Sequence, residues 1–103
     1  MTLTYDTFAA LRDQPFQLYL DPWDAAPAER AAPIAITLIQ AEAHGPGTVG
    51  QRQTFTLTFC AMGGPQLAQQ TYMVAHPQLG EHPIFLVPIG PGRGGMLYEA
   101  IFN

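Results

Sequence analysis

The sequence predicts a mainly β domain of about six antiparallel strands with one short N-terminal helix. Apolar and polar residues alternate over short runs such as residues 54–60, which is typical of a strand with one buried face and one wet face. Clusters of Gly and Pro separate these runs and indicate turns. Six short strands can bury their apolar faces only by curling into a small barrel or by folding as a two-layer sandwich. At this length we expect a single β domain over residues 1–103.

A short helix is expected near the N-terminus. Thr4 or Asp6 can cap it, because their side-chain oxygens accept a free first-turn N–H. Phe8 and Leu11 then share one face at i, i+3 spacing, and Pro15 ends the helix. A helix this short needs tertiary packing to be stable. We therefore expect it to cover the sheet or to plug one end of a barrel.

Alternation and apolar runs predict strands at residues 16–20, 34–43, 54–60, 70–75, 84–87 and 96–102. In the first, Phe16, Leu18 and Leu20 share one face. The second and fifth are apolar at successive positions, so we expect both of their faces to be covered. Pro88 lacks an N–H and is expected at a strand end or edge. The connections are a long loop over 21–33, a flexible loop over 44–51, a turn over 62–69, a tight connection over 76–83 and a six-residue hairpin over 90–95.

The charge pattern argues against several classes of partner. The net charge is −4, there is no lysine, and the four arginines are scattered along the chain. Nucleic acids and anionic membrane surfaces both require clustered cations, so neither is an expected partner. Charged residues make up 12% of the chain, about half the usual share. A surface so weakly charged favours association with other protein surfaces.

The chain shows no sign of secretion or membrane insertion. No basic start followed by an apolar run is visible, so no signal peptide is predicted. The longest apolar stretch, residues 84–89, is far shorter than the roughly 20 residues of a spanning helix. A cytoplasmic location is the default expectation, with signal-less export or incorporation in a surface fibre left open.

The candidate metal ligands are three histidines and a carboxylate, at His44, His76, Glu81 and His82. Their spacing matches no standard zinc motif, so we expect no metal and no cofactor. His76 ends a strand, where it can hydrogen-bond to loop backbone, and Pro77 forces the chain to turn. With Gly80, these residues predict a structural turn.

No arrangement typical of an enzyme is visible. The chain has no serine, which excludes a serine nucleophile. Cys60, the one cysteine, forms no internal disulfide, and no base or cation stands near it in sequence. Alternation places it on the polar side of its strand, as a small and partly exposed residue. Residues 90–95 resemble a phosphate loop in their glycines only, because a strand follows where such loops enter a helix.

Interaction residues are expected outside the core. Trp23, Tyr19 and Tyr5 can form an aromatic patch, and tryptophan is favoured at protein interfaces. Arg93, at the tip of the hairpin, can contact an acidic partner. Threonines line the polar face of the third predicted strand at Thr54, Thr56 and Thr58. Together these positions predict an interaction surface.

The C-terminal third carries a family resemblance. It contains Tyr72 in a strand, then H-P-Q-L-G at 76–80, F-L-V-P at 85–88 and Y-E-A-I-F-N at 98–103, and the chain opens with T-F-A-A-L at 7–11. In these motifs the chain resembles an uncharacterised family of bacterial β domains of similar length. The resemblance implies no activity. It implies genomic proximity to proteins like phage-tail-collar or tail-fibre proteins, and hence an assembly role.

Two functional hypotheses follow. The first is a non-enzymatic protein-interaction or assembly module that binds a protein partner or its own copies, accessory to a phage-tail-like fibre system. It rests on the low charge, the threonine face and the expectation of exposed strand edges, which can accept another strand. The alternative is a small β-barrel that binds an apolar or carbohydrate ligand in its mouth, suggested by the Phe and Tyr content.

Overall fold

The computed structural model describes residues 3–45, 54–63 and 66–102. Its elements are helix α1 (Tyr5–Ala9), strand β1 (Pro15–Tyr19), a 3-10 turn (Pro27–Glu29), and strands β2 (Ile34–His44), β3 (Thr54–Ala61), β4 (Gln70–His76), β5 (Gly80–Pro91) and β6 (Met96–Phe102). The expectation of six strands and one short helix is confirmed. Most of the loop predicted over 44–51 lies outside the described residues.

The six strands form a closed antiparallel barrel. The order around the ring is β1-β2-β3-β6-β5-β4, and β1 closes it by pairing with both β2 and β4. Phe16 lies opposite Ile36 across one junction, and Leu18 lies opposite Val74 across the other. The sheet is therefore a barrel and not a sandwich. No whole strand is an edge strand, because each strand has a neighbour on both sides in the ring. Single stretches do keep one unpaired side, such as residues 80–86 of β5, which pair with β4 alone, so the expectation of exposed strand edges is met only in part.

The barrel interior is filled by side chains from all six strands. The strand residues of the buried hydrophobic core are Phe16, Leu18, Ile36, Leu38, Phe55, Leu57, Phe59, Ala61, Tyr72, Val74, Ile84, Leu86, Tyr98 and Ala100. Two buried tyrosines also bind the segment after β3. The Tyr98 hydroxyl accepts a hydrogen bond from the Leu67 amide at 2.8 Å, and the Tyr72 hydroxyl donates to the Ala68 carbonyl at 2.6 Å. These bonds hold residues 67–68 against the barrel.

Helix α1 packs against the barrel through Phe8. Thr4 caps the helix by accepting a hydrogen bond from the Thr7 amide at 3.2 Å. The Phe8 ring lies 5.9 Å from that of Phe55 and 5.5 Å from that of Phe102. This confirms the predicted cap and the tertiary packing of the helix.

The helix does not continue to Pro15. It ends at Ala9, and Pro15 is the first residue of β1. Between them Asp13 adopts a φ of 71°, and its amide donates to the Leu38 carbonyl at 2.6 Å. Residues 10–14 continue as hydrogen-bonded turns, with the Leu11 amide donating to the Phe8 carbonyl, and the bond from Asp13 then joins the chain to β2.

Strand β5 is much longer than predicted. Its residues up to Leu86 pair with β4, and those from Val87 onward pair with β6. Pro88 therefore lies inside the strand, opposite Tyr98 and beside a register shift, and not at its end. A proline fits where a strand is paired on one side only. The connection from β4 shortens accordingly to residues 77–79.

Three apolar side chains expected to be covered are exposed instead. Phe85 in β5 is 51% exposed, and Ile39 lies at a register shift of β2 and is 37% exposed. Leu20 does not share the inward face of Phe16 and Leu18, because β1 ends one residue before it. In a single barrel layer the outer face has no second sheet to cover it, so these residues face solvent.

The hairpin between β5 and β6 is tighter than six residues, since β5 extends to Pro91. The Gly92 amide donates to the Gly95 carbonyl at 2.7 Å. Gly95 has a φ of 151°, and a Cβ there would lie 2.2 Å from the Ala61 carbonyl oxygen. The turn therefore requires glycine at this position.

Candidate interaction surface

A surface groove forms where the chain leaves β1 and runs beside β4 and β5. We call it the Trp23 surface; it is lined by Leu20, Pro22, Trp23, Gln69, Gln70, Thr71 and Phe85. The Trp23 side chain is 47% exposed, and Leu20 and Phe85 are similarly open. Three large apolar side chains thus share one solvent-facing region, beside the polar side chains of Gln69, Gln70 and Thr71.

The loop that carries Trp23 is fixed at both of its ends. Asp21 accepts a hydrogen bond from the Ala31 amide at 3.1 Å. Farther along, the Arg30 guanidinium binds the Glu81 carboxylate of β5 at 2.6 Å. A loop held in this way loses less conformational freedom when it binds a partner.

Tyr19 belongs to the contacts that fix this loop, and it is not part of the Trp23 surface. The Arg30 guanidinium carbon lies 4.8 Å from the centre of the Tyr19 ring, an arrangement typical of a cation–π contact. The hydrogen bond from Arg30 lowers the pKa of Glu81 and raises the pKa of Arg30, while desolvation opposes both shifts. The structure therefore separates the expected aromatic patch, leaving Trp23 exposed and Tyr19 half-buried beneath Arg30. Tyr5 lies elsewhere, with its ring centre 6.4 Å from that of Phe55.

A second apolar depression lies on the outer face of β2, β3 and β6. We call it the Arg93 groove; it is lined by Thr37, Ile39, Cys60, Met62, Arg93, Gly94 and Leu97. Met62 is 72% exposed at its edge. Arg93 lies at the hairpin tip, as expected, and faces this groove.

Cys60 lies at the bottom of the Arg93 groove and is only 6% exposed. The expectation of a partly exposed thiol is wrong. Alternation does place Cys60 on the outer face, but the hairpin packs over it: a Cβ on Gly94 would lie 3.5 Å from the Cys60 sulfur. Cover from a neighbouring connection cannot be predicted from one strand alone.

The predicted threonine face is half-buried. Thr54 donates to the His44 carbonyl at 3.4 Å, and the Thr56 hydroxyl lies 2.5 Å from His44 Nε2. Thr58 lies opposite Gln40 on one side and Glu99 on the other. These three threonines lie on the outer face of β3, between β2 and β6 and away from the Trp23 surface.

The structure places His76, Pro77 and Gly80 in the turn between β4 and β5. His76 Nδ1 accepts a hydrogen bond from the Gln78 amide at 3.0 Å, so the neutral ring donates from Nε2 to Gln14 Oε1 at 2.8 Å. Burial lowers the pKa of His76, because it disfavours the imidazolium form. Gly80 has a φ of 75°, which suits glycine.

The other candidate ligands do not converge. His82 Nε2 bonds to the Leu79 carbonyl at 2.6 Å, and His44 bonds to Thr56. Across residues 3–45, 54–63 and 66–102, no three His, Cys, Asp or Glu side chains meet as metal ligands. Nor does any helix in these ranges have the length and apolar character needed to cross a membrane.

Leu20, Phe85 and Met62 are among the residues of these two surfaces that sequence reasoning does not predict. Each is apolar and lies in or beside a predicted strand, so local pattern assigns it to the core or to a turn. The signal that could have found Phe85 is alternation with Ile84 and Leu86, which are both buried. Read strictly, that alternation places Phe85 on the outer face.

Fold and surface together define a small closed β-barrel with two partly apolar grooves on its outside. The model of one family, described as a domain of unknown function (DUF6916), matches residues 3–102. The chain therefore belongs to this family, which confirms the resemblance to an uncharacterised domain. Searches of curated proteins and of solved structures found no match.

Proposed function

We propose that this domain is a non-enzymatic protein-interaction or assembly module. It binds a protein partner or its own copies through side chains on the outside of the barrel. The observation that supports this most directly is the Trp23 surface, where Leu20, Trp23 and Phe85 are exposed together on a fixed frame. Burying the open half of each of these side chains would contribute about 1 kcal/mol, taking half of the usual value for full burial.

Closure of the ring changes the expected mode of binding. An open sheet edge would bind by adding a strand, but here β1 is paired with both β2 and β4. We therefore propose a contact made by side chains, with the indole of Trp23 as its centre. Tryptophan suits this role, since it buries a large area and offers one hydrogen-bond donor.

The resemblance of the C-terminal motifs makes the proposal more specific. We propose a bacterial assembly role accessory to a phage-tail-like fibre system. The protein would then act in the cytoplasm or, after signal-less export, within a surface fibre. The low charge of the chain, 12% Asp, Glu, Lys and Arg, suits close packing between subunits.

The alternative, an apolar or carbohydrate ligand held inside the barrel mouth, has less support. A cavity beneath the helix, between Phe8, Phe16 and His76, has a volume of only about 10 Å³. That is about the space of one water molecule. The rest of the space within the ring is occupied by the buried side chains of the strands.

The test is co-purification of the full chain with tail-collar-like or fibre-like proteins, together with light scattering of the chain alone. We expect a complex, self-association, or both. Trp23→Ala should weaken binding at least tenfold, as is usual for a central aromatic residue. Ile101→Ala is the matched control, since Ile101 is exposed on β6 and lies outside the two surfaces. A chain that stays monomeric and binds none of these proteins would contradict the proposal.

A further inference from the structure

The Arg93 groove combines an apolar floor with a cation at its edge. Ile39, Met62 and Leu97 supply the apolar walls. Two other arginines are ion-paired: Arg12 Nε lies 3.8 Å from Asp13 Oδ2, and Arg30 Nη1 lies 2.6 Å from Glu81 Oε2. Arg93 forms no ion pair within the part of the chain that the structure describes. A guanidinium beside an apolar groove favours a ligand that presents a carboxylate next to an apolar group.

The chain itself carries such a ligand in its Trp23–Asp24 dipeptide. The indole of Trp23 is 47% exposed, and Asp24 follows it directly and is exposed. Within the described ranges, the Asp24 carboxylate forms neither a hydrogen bond nor an ion pair. Indole and carboxylate therefore match the two features of the Arg93 groove.

The strand order places these two features on opposite halves of the ring. The Arg93 groove lies on β2, β3 and β6, which are consecutive neighbours. The Trp23 surface lies beside β5, β4 and the end of β1, which are the other three consecutive neighbours. One copy cannot bring its own dipeptide into its own groove across the barrel. In a pair of copies, the Trp23 surface of one can contact the Arg93 groove of the other. The Arg93 groove of the first copy and the Trp23 surface of the second then stay free.

We propose that a second copy of this chain occupies the Arg93 groove, with its Trp23 indole between Ile39, Met62 and Leu97 and its Asp24 carboxylate paired with Arg93. The contact is heterologous, so it repeats head to tail and builds a ring or a filament. This inference rests on the proposed function and specifies its partner and its two surfaces. It also explains why a small monomer would expose two separate apolar surfaces.

The test is sedimentation velocity of the full chain over a range of concentrations up to about 1 mM, where even weak contacts register. The wild type should grow beyond a dimer as its concentration rises. Trp23→Ala removes the inserted indole, and Met62→Glu places a carboxylate on the groove that also competes for Arg93. Each variant alone should have a dissociation constant at least tenfold higher. Ile101→Ala should associate like the wild type.

Mixing the two variants distinguishes a head-to-tail contact from a symmetric one. Trp23→Ala keeps a working groove, and Met62→Glu keeps a working dipeptide. Their equimolar mixture should therefore recover association and stop at two chains, because only one good interface can form. Circular dichroism must show unchanged thermal midpoints, so that lost association is not lost folding. A symmetric interface would give no recovery on mixing, and that result would overturn the proposal.

A charge exchange tests the ion pair separately. Arg93→Asp and Asp24→Arg should each weaken association, and the double variant should restore most of it. A wild type that stays monomeric overturns self-association. If that monomer still binds a tail-like partner, the proposed function stands; if it binds none, both fall. If Met62→Glu abolishes capture of such a partner without changing self-association, the groove holds a foreign segment and the inference is wrong.

Discussion

The hydrogen bond between Tyr98 and Leu67 gives the sharpest test of the barrel core. The Tyr98 side chain is fully buried, and its hydroxyl accepts the Leu67 amide at 2.8 Å. Tyr98→Phe keeps the ring and the packing but leaves a buried N–H without an acceptor. Such an orphaned donor costs about 1–3 kcal/mol in the free energy of unfolding. For a domain of this size, about 2 kcal/mol corresponds to a fall of roughly 10 °C in Tm.

Tyr72→Phe is the matched control for this prediction. The Tyr72 hydroxyl donates to the carbonyl of Ala68 at 2.6 Å, but Ala68 is exposed. Water can replace the lost donor there, so we expect a cost of about 0.5–1.5 kcal/mol, the net value of an ordinary hydrogen bond. Urea unfolding of both variants measures the difference. The reasoning is refuted if Tyr98→Phe is as stable as the wild type, or if Tyr72→Phe loses more stability.

Three further predictions concern the turns and the covered thiol. Gly95→Ala should lower the free energy of unfolding by roughly 2–4 kcal/mol, as steric strain in a packed turn does. The cause is the added Cβ, which would lie 2.2 Å from the Ala61 carbonyl oxygen. A Tm within a degree of the wild type would contradict this prediction. Burial lowers the pKa of His76 in the folded state, so the unfolded chain binds more protons below about pH 6.5. Stability should therefore fall on acidification through that range, and His76→Gln should flatten the dependence in pH-dependent urea titrations. Cys60 should react with a thiol reagent far more slowly than a free thiol at neutral pH, since the hairpin covers it; rapid labelling of the folded chain would show that the cover is absent.

Local alternation predicts some strands closely. β6 spans Met96–Phe102, as expected, and β3 extends one residue beyond its predicted end. In both, every second residue faces the core, so the pattern alone determines which face is buried. β5 is different, because Pro83 and Pro88 both lie within it. Read locally, each proline indicates the end of a strand. The strand continues through both because its first part pairs with β4 and its second part pairs with β6.

The two candidate surfaces depend on strand order, which local pattern does not contain. The chemistry of Trp23 singles it out as a candidate interaction residue from sequence alone, and the structure leaves it half exposed. Its neighbours Leu20 and Phe85 are 65 positions apart in sequence and meet only because β4 lies between β1 and β5. The cover over Cys60 likewise comes from the hairpin beside Gly94. Sequence therefore predicts the fold class and one central residue, while the surrounding surface follows from ring closure.

The most direct test of the account is the fluorescence of Trp23 itself. It is the single tryptophan of the chain, so its emission reports on the proposed surface alone. Because the indole is about half exposed in one copy, burial in an interface should shift its emission to shorter wavelength. We predict this shift as the chain is concentrated or mixed with a tail-like partner, and its loss on dilution. Emission that stays constant under both conditions would contradict the claim that Trp23 lies at the centre of a protein interface.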